Sequence, residues 1–453
     1  MITAKELAAA LRPALIRSPS VGPMRFRNAV VDSRKARKGD LFFALKGERA
    51  DGHDFVEDAV RRGAIGAVVE REVDVDAPQY VVPSTLTALQ SLAHARRLAR
   101  PRVKVVGITG SVGKTTTKEL TAAVLAARYP LLKSEGNLNS EIGLPMVLLG
   151  LTTKHRRAVL EMGMWAAGEI ALLCEIARPD IGIVTNVGPS HMERLGSIEA
   201  IALAKGELVE ALPEDGVAVL NIDDERVRAM EERTDAHVIT YGLALNADVR
   251  AVDIESHGLA GLKFTLLHGD DRATVYTRLP GKAMVHNALA AAACALVDGM
   301  ELDEIARALS EAQIPTRLSR HSGPRGSTII DDSYNASPAS MRAALDLLGE
   351  VAGRKIAVLG DMRELGDAEL DAHREVGRYA AGIADEIWAV GELGRWIGDA
   401  AIAAGHPAVH IVAEKDEIGH ALRPRLDHGD VVLLKASRAL ELETVLAQLR
   451  EEA

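Results

Sequence analysis

The segment Gly107-Ile-Thr-Gly-Ser-Val-Gly-Lys-Thr-Thr-Thr117 joins close-set glycines to a lysine and five hydroxyls. Together these residue types can hold phosphate. Gly110 and Gly113 permit backbone geometries closed to other residues and let N–H groups approach phosphate oxygens. Ser111, Val112 and Thr116 complete the loop, Lys114 brings a positive charge between β- and γ-phosphates, and the Thr115 hydroxyl suits Mg²⁺. The segment leaves a predicted strand (103–109) and opens a predicted helix (114–127), the context that makes a phosphate-loop match credible. The spacing is not the strict G-x-x-x-x-G-K-[ST], because Ile occupies position 108 and the first glycine comes one residue early.

Other polar residues sit where a parallel sheet presents ligand-binding groups. Glu161 ends the apolar run Ala158-Val-Leu-Glu-Met; a carboxylate at the carboxyl end of such a strand can hold Mg²⁺, although an isolated one is more often a solvated strand-end charge. His191 lies in the loop after another buried run (181–186) and is a candidate for a second metal. Lys205, within Ala202-Leu-Ala-Lys-Gly-Glu207, falls on a predicted helix and reads by itself as a surface charge. Asp332, in Ile330-Asp-Asp-Ser-Tyr-Asn-Ala-Ser-Pro338, follows a strand and suits a ribose hydroxyl or a phosphate-side metal; Ser337-Pro338 also reads as a plain helix start. Asp32-Ser-Arg34 and Asp51-Gly-His53 are polar turns that turn chemistry explains equally well.

These groups need sheets to hold them. Short β-like runs at 26–31, 40–45, 65–69 and 80–82, with helices over 54–62 and 85–99, precede Pro101. From 103 the pattern is strand, loop, helix, repeating through 158–162 and 181–186, which indicates a mostly parallel sheet. Residues 248–279 turn β-rich, and helices follow at 287–297 and 302–312. Beyond Pro315 the alternation restarts, with strands at 328–330, 355–359, 386–390, 409–412 and 431–434, a doubly wound unit. The expected fold is therefore α/β in three domains: a small α/β domain over 1–101, a central phosphate-loop domain with a mostly parallel sheet over 102–314, and a Rossmann-like domain over 315–453.

Composition agrees with folded domains of this size. The 453 residues are 47% hydrophobic but only 3% aromatic, so the cores must be aliphatic and stacking platforms for single-stranded nucleic acid are not expected. A net charge of −10 argues against a general nucleic-acid or membrane-surface binder. Cys174 and Cys294 lie in apolar contexts without CxxC pairing, as buried free thiols of a reducing cytosol would. With no signal-like start and no run of roughly 18 apolar residues, a cytoplasmic location is expected.

Taken in order, the segments resemble the Mur ligase family of cell-wall synthesis, nearly end to end. The first domain contributes Asp32-Ser-Arg34, Gly39-Asp-Leu-Phe and Asp51-Gly-His53. The second contributes Thr109-Gly-Ser-Val-Gly-Lys-Thr115, Gly136-Asn-Leu-Asn-Ser-Glu-Ile-Gly-Leu-Pro145, Glu161-Met-Gly163 and Ala204-Lys-Gly-Glu207. The third contributes Asp331-Asp-Ser-Tyr-Asn-Ala-Ser-Pro338, Leu359-Gly-Asp-Met-Arg-Glu-Leu-Gly366 and Lys435-Ala-Ser-Arg438. The phosphate loop identifies only the superfamily. The Gly136 and Asp331 segments point to the branch that adds D-alanyl-D-alanine to a UDP-N-acetylmuramoyl-tripeptide.

The resemblance implies that ATP phosphorylates the tripeptide's terminal carboxylate and that the dipeptide amine captures the acyl phosphate. Carried over by position, Lys114 and Thr115 contact phosphates and Mg²⁺, Glu161 and His191 serve as metal-side ligands, and Lys205 becomes carbamylated to hold a second Mg²⁺. Asn287 matches an adenine contact; Arg317 and Asp332 match nucleotide contacts from the third domain. Ser33, Arg34, Asp51, Gly52 and His53 fall in the UDP-sugar-peptide domain, and Asn137, Asn139, Tyr334 and Asn335 in segments expected to meet substrate. The family precedent is a monomer. The chain departs from the family pattern at Met164-Trp-Ala-Ala, at Ala283 (often His), at Ala436 (Gly) and at Ser140 (Asn). The competing readings are another ligase of this superfamily, of muramoyl-dipeptide or folylpolyglutamate type, and a phosphate-loop NTPase that drives motion.

Overall fold

The computed structural model describes residues 1–450 apart from 13, 20, 21, 48, 316 and 317; Arg317 thus lies outside the described residues. The expected α/β class is borne out: the described residues build three sheets of four, nine and six strands, each mostly or wholly parallel, and one two-stranded ribbon. The four-stranded sheet orders Ala29–Val30, Leu41–Phe43, Gly66–Val69 and Gln79–Val81, all parallel. The β-like run expected at 26–31 divides. Arg25–Phe26 pairs with Ile2–Thr3 in the ribbon, while Ala29–Val30 joins the sheet.

In the nine-stranded sheet the strand Lys104–Thr109 lies between Arg157–Glu161 and Ile181–Val184, parallel to both. Its side chains alternate, with Val106 and Ile108 entering one core layer and Val105, like Val103 just before the strand, the other. Such period-2 burial on both faces is what an inner parallel strand requires. Helices Lys114–Ala126 and Met284–Val297 cover the first face, and Glu169–Ala177 and Ile198–Glu210 the second. Alanines 288 and 290–293 are all buried, and their small side chains let the two helices of the first face approach closely. This is how the fold makes cores with so few aromatics.

Beyond Ile181–Val184 the sheet continues through Val217–Asn221, His237–Gly242 and Val249–Ser256, then two antiparallel strands, Leu262–His268 and Asp271–Thr277, finish it. The β-rich stretch expected at 248–279 is therefore an extension of one edge. Leu131–Lys133 forms the other edge. From Lys104–Thr109 the chain passes first to one side and later to the other. That strand is thus a topological switch point, and the crevice at its carboxyl end is where open α/β sheets bind ligands.

The six-stranded sheet runs Ser319–Ser322, Thr328–Asp331, Val431–Lys435, Lys355–Gly360, Glu386–Val390, Val409–Val412, antiparallel only at the first pair. Helices pack on both faces, as expected of a doubly wound unit. Among the described residues no helix is long and apolar enough to cross a membrane, and Cys174 and Cys294 are free and buried.

Candidate active site

Three adjacent parallel strands end side by side, at Thr109, Glu161 and Val184. From the middle one the chain turns through Gly110 (φ +146°) and Gly113 (φ +86°) into the helix Lys114–Ala126. A β-carbon on Gly110 would fall 1.9 Å from Thr185 Oγ1, and one on Gly113 2.6 Å from Asn287 Oδ1. Only glycine fits either position. No side chain caps the helix, and its first turn carries no acid, so its leading N–H groups and partial positive charge are available to an anion.

The loop is held from the neighbouring strand end. Thr185 Oγ1 donates to Val112 O at 2.7 Å, Asn186 Nδ2 donates to the same carbonyl at 2.9 Å, and Val112 N donates to Asn186 Oδ1 at 2.9 Å. Ser111 Oγ donates to Gly188 O at 2.9 Å and lies 3.0 Å from Ser190 Oγ. The strand expected to run to Asn186 stops at Val184 because these side chains bond the phosphate loop. On the opposite side Thr117 Oγ1 donates to Asn287 Oδ1 at 3.1 Å, tying the first helix to the second. Thr117 falls within the phosphate loop read from the sequence and Thr185-Asn186 open the polar segment that runs to His191, but no role in bracing the loop is assigned to them there; the signal is a hydroxyl or amide just past a buried strand, or one turn inside the helix.

Lys114 folds back over the loop, its Nζ 2.7 Å from Gly110 O and 3.2 Å from Ser111 O. Thr115 Oγ1 donates to Glu161 Oε2 at 3.0 Å, and Asn139 Nδ2 donates to Glu161 Oε1 at 2.8 Å. Thr115, Asn139 and Glu161 thus meet, while Asn137 is exposed nearby. A hydroxyl and a carboxylate beside a phosphate loop are the hard oxygen donors that Mg²⁺ prefers, so this corner fits one such ion. Trp165, at the departure from the family pattern, is half exposed and packs edge-to-face on His191 with centroids 5.2 Å apart. His191 itself, in a left-handed conformation (φ +58°), sets Nδ1 2.6 Å from Glu364 Oε2 of the third domain. That contact holds the Glu364 carboxyl below its ordinary range. His191 is thus engaged across the domain joint, and among the described residues no three His, Cys, Asp or Glu side chains group as a metal site.

Lys205 is not the surface charge that its sequence context suggests. It is 2% exposed on the helix Ile198–Glu210, and no carboxylate pairs with it among the described residues. Burial, and after it the nearby charge of Lys114, hold its ammonium well below the ordinary lysine value. Tertiary packing overrides the local pattern here: residue 205 lies on the helix face packed against the sheet.

In the third domain Lys435, 1% exposed, places Nζ 2.5 Å from Asp332 Oδ2 and 3.0 Å from Asn335 O. Asp332 and Asn335 are thereby gathered at the end of the strand Thr328–Asp331, with Tyr334 exposed between them. In the first domain Asp32 Oδ1 accepts from Arg34 N at 3.1 Å and from Arg34 Nε at 2.9 Å, and the Arg34 side chain is exposed. Ser33 is buried. Gly52 N donates to Leu45 O at 2.8 Å. His53 Nε2 accepts from Glu70 N at 2.8 Å, which leaves Nδ1 to donate to Asp51 Oδ1 at 2.6 Å. The Asp51 carboxyl is correspondingly lowered, first by the His53 backbone N–H. His53 is buried, so this turn acts as a brace between two loops.

The chain is similar to known proteins along nearly its whole length. The chain matches the Mur ligase family catalytic domain over 26–109, the Mur ligase middle domain over 108–295 and the Mur ligase glutamate ligase domain over 316–438. It is 38% identical to the UDP-N-acetylmuramoyl-tripeptide–D-alanyl-D-alanine ligase of Bacillus subtilis, covering 99% of this chain and 98% of that one. It is 38% identical to the Escherichia coli protein of the same name, over 93% of each. Among solved structures, MurF from Acinetobacter baumannii superposes with a TM-score of 0.91 at 34% identity, over 100% of this chain and 99% of that one. MurF ligase from Thermotoga maritima in complex with ADP gives 0.83 at 32%, over 93% and 97%. A glycine-bounded phosphate loop at the switch point, a carboxylate on the next strand and three domains matched in order all have one source: the chain belongs to the Mur ligase family.

Proposed function

We propose that this protein is the ATP-dependent ligase that joins D-alanyl-D-alanine to the terminal carboxylate of UDP-N-acetylmuramoyl-tripeptide in peptidoglycan precursor synthesis. The observation that carries this is near full-length similarity, at 38% identity, to two relatives that bear that one name. The domain limits that go with it are 1–101, 102–314 and 315–453, and the enzyme works as a cytoplasmic monomer. Folylpolyglutamate synthase shares the fold at 17% identity, which supports no transfer of substrate.

The chemistry is a two-step exchange. A carboxylate oxygen of the tripeptide attacks the γ-phosphorus of ATP; the new O–P bond forms as the bond to the β-phosphate oxygen breaks, and ADP leaves. The free amine of the dipeptide then attacks the acyl carbon, a tetrahedral intermediate collapses, the C–O bond to phosphate breaks, and the amine's proton passes to solvent or base. Phosphate leaves where oxide could not. The protein supplies position and charge neutralisation. The N–H groups of residues 110–116 and the Lys114 ammonium hold the β- and γ-phosphates. Thr115 and Glu161 would hold Mg²⁺, which when bound neutralises charge on the transferring phosphoryl group. Asn287, beside the loop, meets the base, while Asp332 and Arg317 approach the nucleotide from the third domain.

Lys205 supports a second cation site in an indirect way. Burial disfavours the ammonium of Lys205 and so favours the free amine lone pair that carbon dioxide needs, and the resulting carbamate would provide the oxygen donors that the described residues lack there. Ser33, Arg34 and the 51–53 turn belong to the domain proposed to receive the UDP-sugar-peptide. Asn137, Asn139, Tyr334 and Asn335 line the approach for the peptide and dipeptide. The test is direct: phosphate release from ATP should require both the muramoyl tripeptide and D-alanyl-D-alanine, and mass spectrometry should find the pentapeptide product. Steady phosphate release with neither acceptor present would favour a motor NTPase instead.

A further inference from the structure

The helix that follows the phosphate loop buries a second lysine that the reaction above does not use. Lys118 lies one turn beyond Lys114 on the same face, the spacing at which helix side chains are neighbours, and its side chain is wholly buried. Its Nζ stands 3.0 Å from Glu119 Oε1, 3.8 Å from Glu161 Oε2 and 3.4 Å from Gly136 O. Glu119 is itself paired with Lys133, whose side chain reaches solvent. Two carboxylates and two ammoniums therefore run in a chain from the surface to the Glu161 oxygen that also accepts from Thr115. A charge buried this deeply persists only when paired. The pairing is unequal: Lys118 sits closer to Glu119 and reaches Glu161 at longer range.

We propose that Lys118 is a positioning residue for Glu161, an internal counter-cation that keeps this carboxylate aimed at Thr115 in the absence of a divalent ion and competes with that ion for it. The inference rests on the reading of Glu161 and Thr115 as Mg²⁺ donors. Because Glu119 already carries most of the ammonium's pairing, Glu161 can turn to an incoming cation without repacking. The lysine's positive charge, in a medium of low dielectric, must still weaken that cation's hold. Lys118 thus sets how strongly nucleotide binding depends on metal.

Isothermal titration of ADP into the full-length enzyme, once with Mg²⁺ and once with EDTA, gives two dissociation constants whose ratio is the metal enhancement. Lys118→Met should raise that ratio at least fivefold by removing the competitor. Glu119→Gln should lower it at least twofold by leaving the ammonium with Glu161 as its main partner. A packing role would move both constants together and leave the ratio unchanged, so an unchanged ratio in soluble, folded variants overturns the proposal. If Lys118→Met does not fold, the gentler Glu119→Gln decides alone. Should the native enzyme itself show no enhancement by Mg²⁺, the metal site at Glu161 falls and Lys118's role falls with it.

Discussion

Gly110 and Lys205 show how much a single position can decide. At Gly110 the backbone lies in a region that side chains rarely adopt, and the space a methyl would need is already held by Thr185. Gly110→Ala should therefore destabilise the protein by roughly 2–4 kcal/mol, from strain and steric overlap together, measurable by urea unfolding. A cost under about 0.5 kcal/mol, the scale of an ordinary surface substitution, would show that the loop is not built as described. Lys205 makes a prediction in pH. Its ammonium is held well below the ordinary lysine value of 10.5 in the folded protein. Between that lowered value and the ordinary one the unfolded chain binds a proton that the folded chain does not, so stability rises with pH across this window. In bicarbonate-free buffer Lys205→Met should be more stable than the native protein at neutral pH and lack this rise; an identical pH profile in the two proteins would contradict it. In assay, Lys205→Ala should be inactive and partly restored by a small carboxylate standing in for the carbamate, whereas full activity without rescue would remove the carbamate from the mechanism. Nothing in the local sequence announces this burial. Ala202-Leu-Ala-Lys-Gly-Glu207 has the composition of an exposed helix, and only the resemblance to the family singled the lysine out.

At the scale of elements, the strand-turn-helix at 104–126 was legible because three signals coincide: an apolar run, glycines at the turn, and a helix-forming sequence after it. Its neighbours Arg157–Glu161 and Ile181–Val184 were legible as short apolar runs ending in polar residues. Val217–Asn221 and His237–Gly242 were not foreseen, although Ala218-Val-Leu bounded by Gly216 and Asp223 carries the same signal in shorter form; His237-Val-Ile-Thr-Tyr-Gly mixes polar residues into an inner strand. Side-chain pairing across elements was beyond reach in principle, since the bonds of Asn186 to Val112 and of Asn139 to Glu161 depend on strand order. The helix Thr85–Leu98 offers a test of such a tertiary pairing. Arg97, nearly buried, donates through Nε to Ala177 O at 2.9 Å and through Nη2 to Arg178 O and Asp180 Oδ2, both at 3.1 Å. It thereby satisfies carbonyls at the end of the helix Glu169–Ala177 and joins the first domain to the second. Arg97→Ala strands those acceptors and should cost about 3 kcal/mol. Calorimetry should show the first domain melting apart from the second, and a single unshifted transition would exclude that role.

At the scale of the molecule, the two joints between domains differ in kind. The first is sealed by Arg97 and by an apolar layer in which Ile142, Met146 and Leu149 pack on the first domain's core. The second combines a small apolar contact, Leu259 against the third domain's core, with two polar patches. At one, Ser256 Oγ donates to Glu350 Oε2 at 2.5 Å and Lys282 Nζ lies 3.5 Å from Glu350 Oε1. At the other, His191 meets Glu364, whose carbonyl accepts from Met192 N at 3.0 Å. Partly exposed ion pairs of this type are worth about 0–1 kcal/mol each. Losing both patches should therefore shift an open–closed equilibrium of the third domain by up to roughly thirtyfold while leaving every core intact. Under the proposed function so light a joint has a reason: Asp332 would approach a nucleotide seated on the central sheet, and closure would keep water from the acyl phosphate. The double variant Glu350→Ala/Glu364→Ala should then have a larger radius of gyration by X-ray scattering without nucleotide, recover the native radius with a non-hydrolysable ATP analogue and the tripeptide, and show a higher KM for ATP with unchanged melting of the domains. Scattering that matches the native protein in both states would mean that the third domain is held by something other than these two carboxylates.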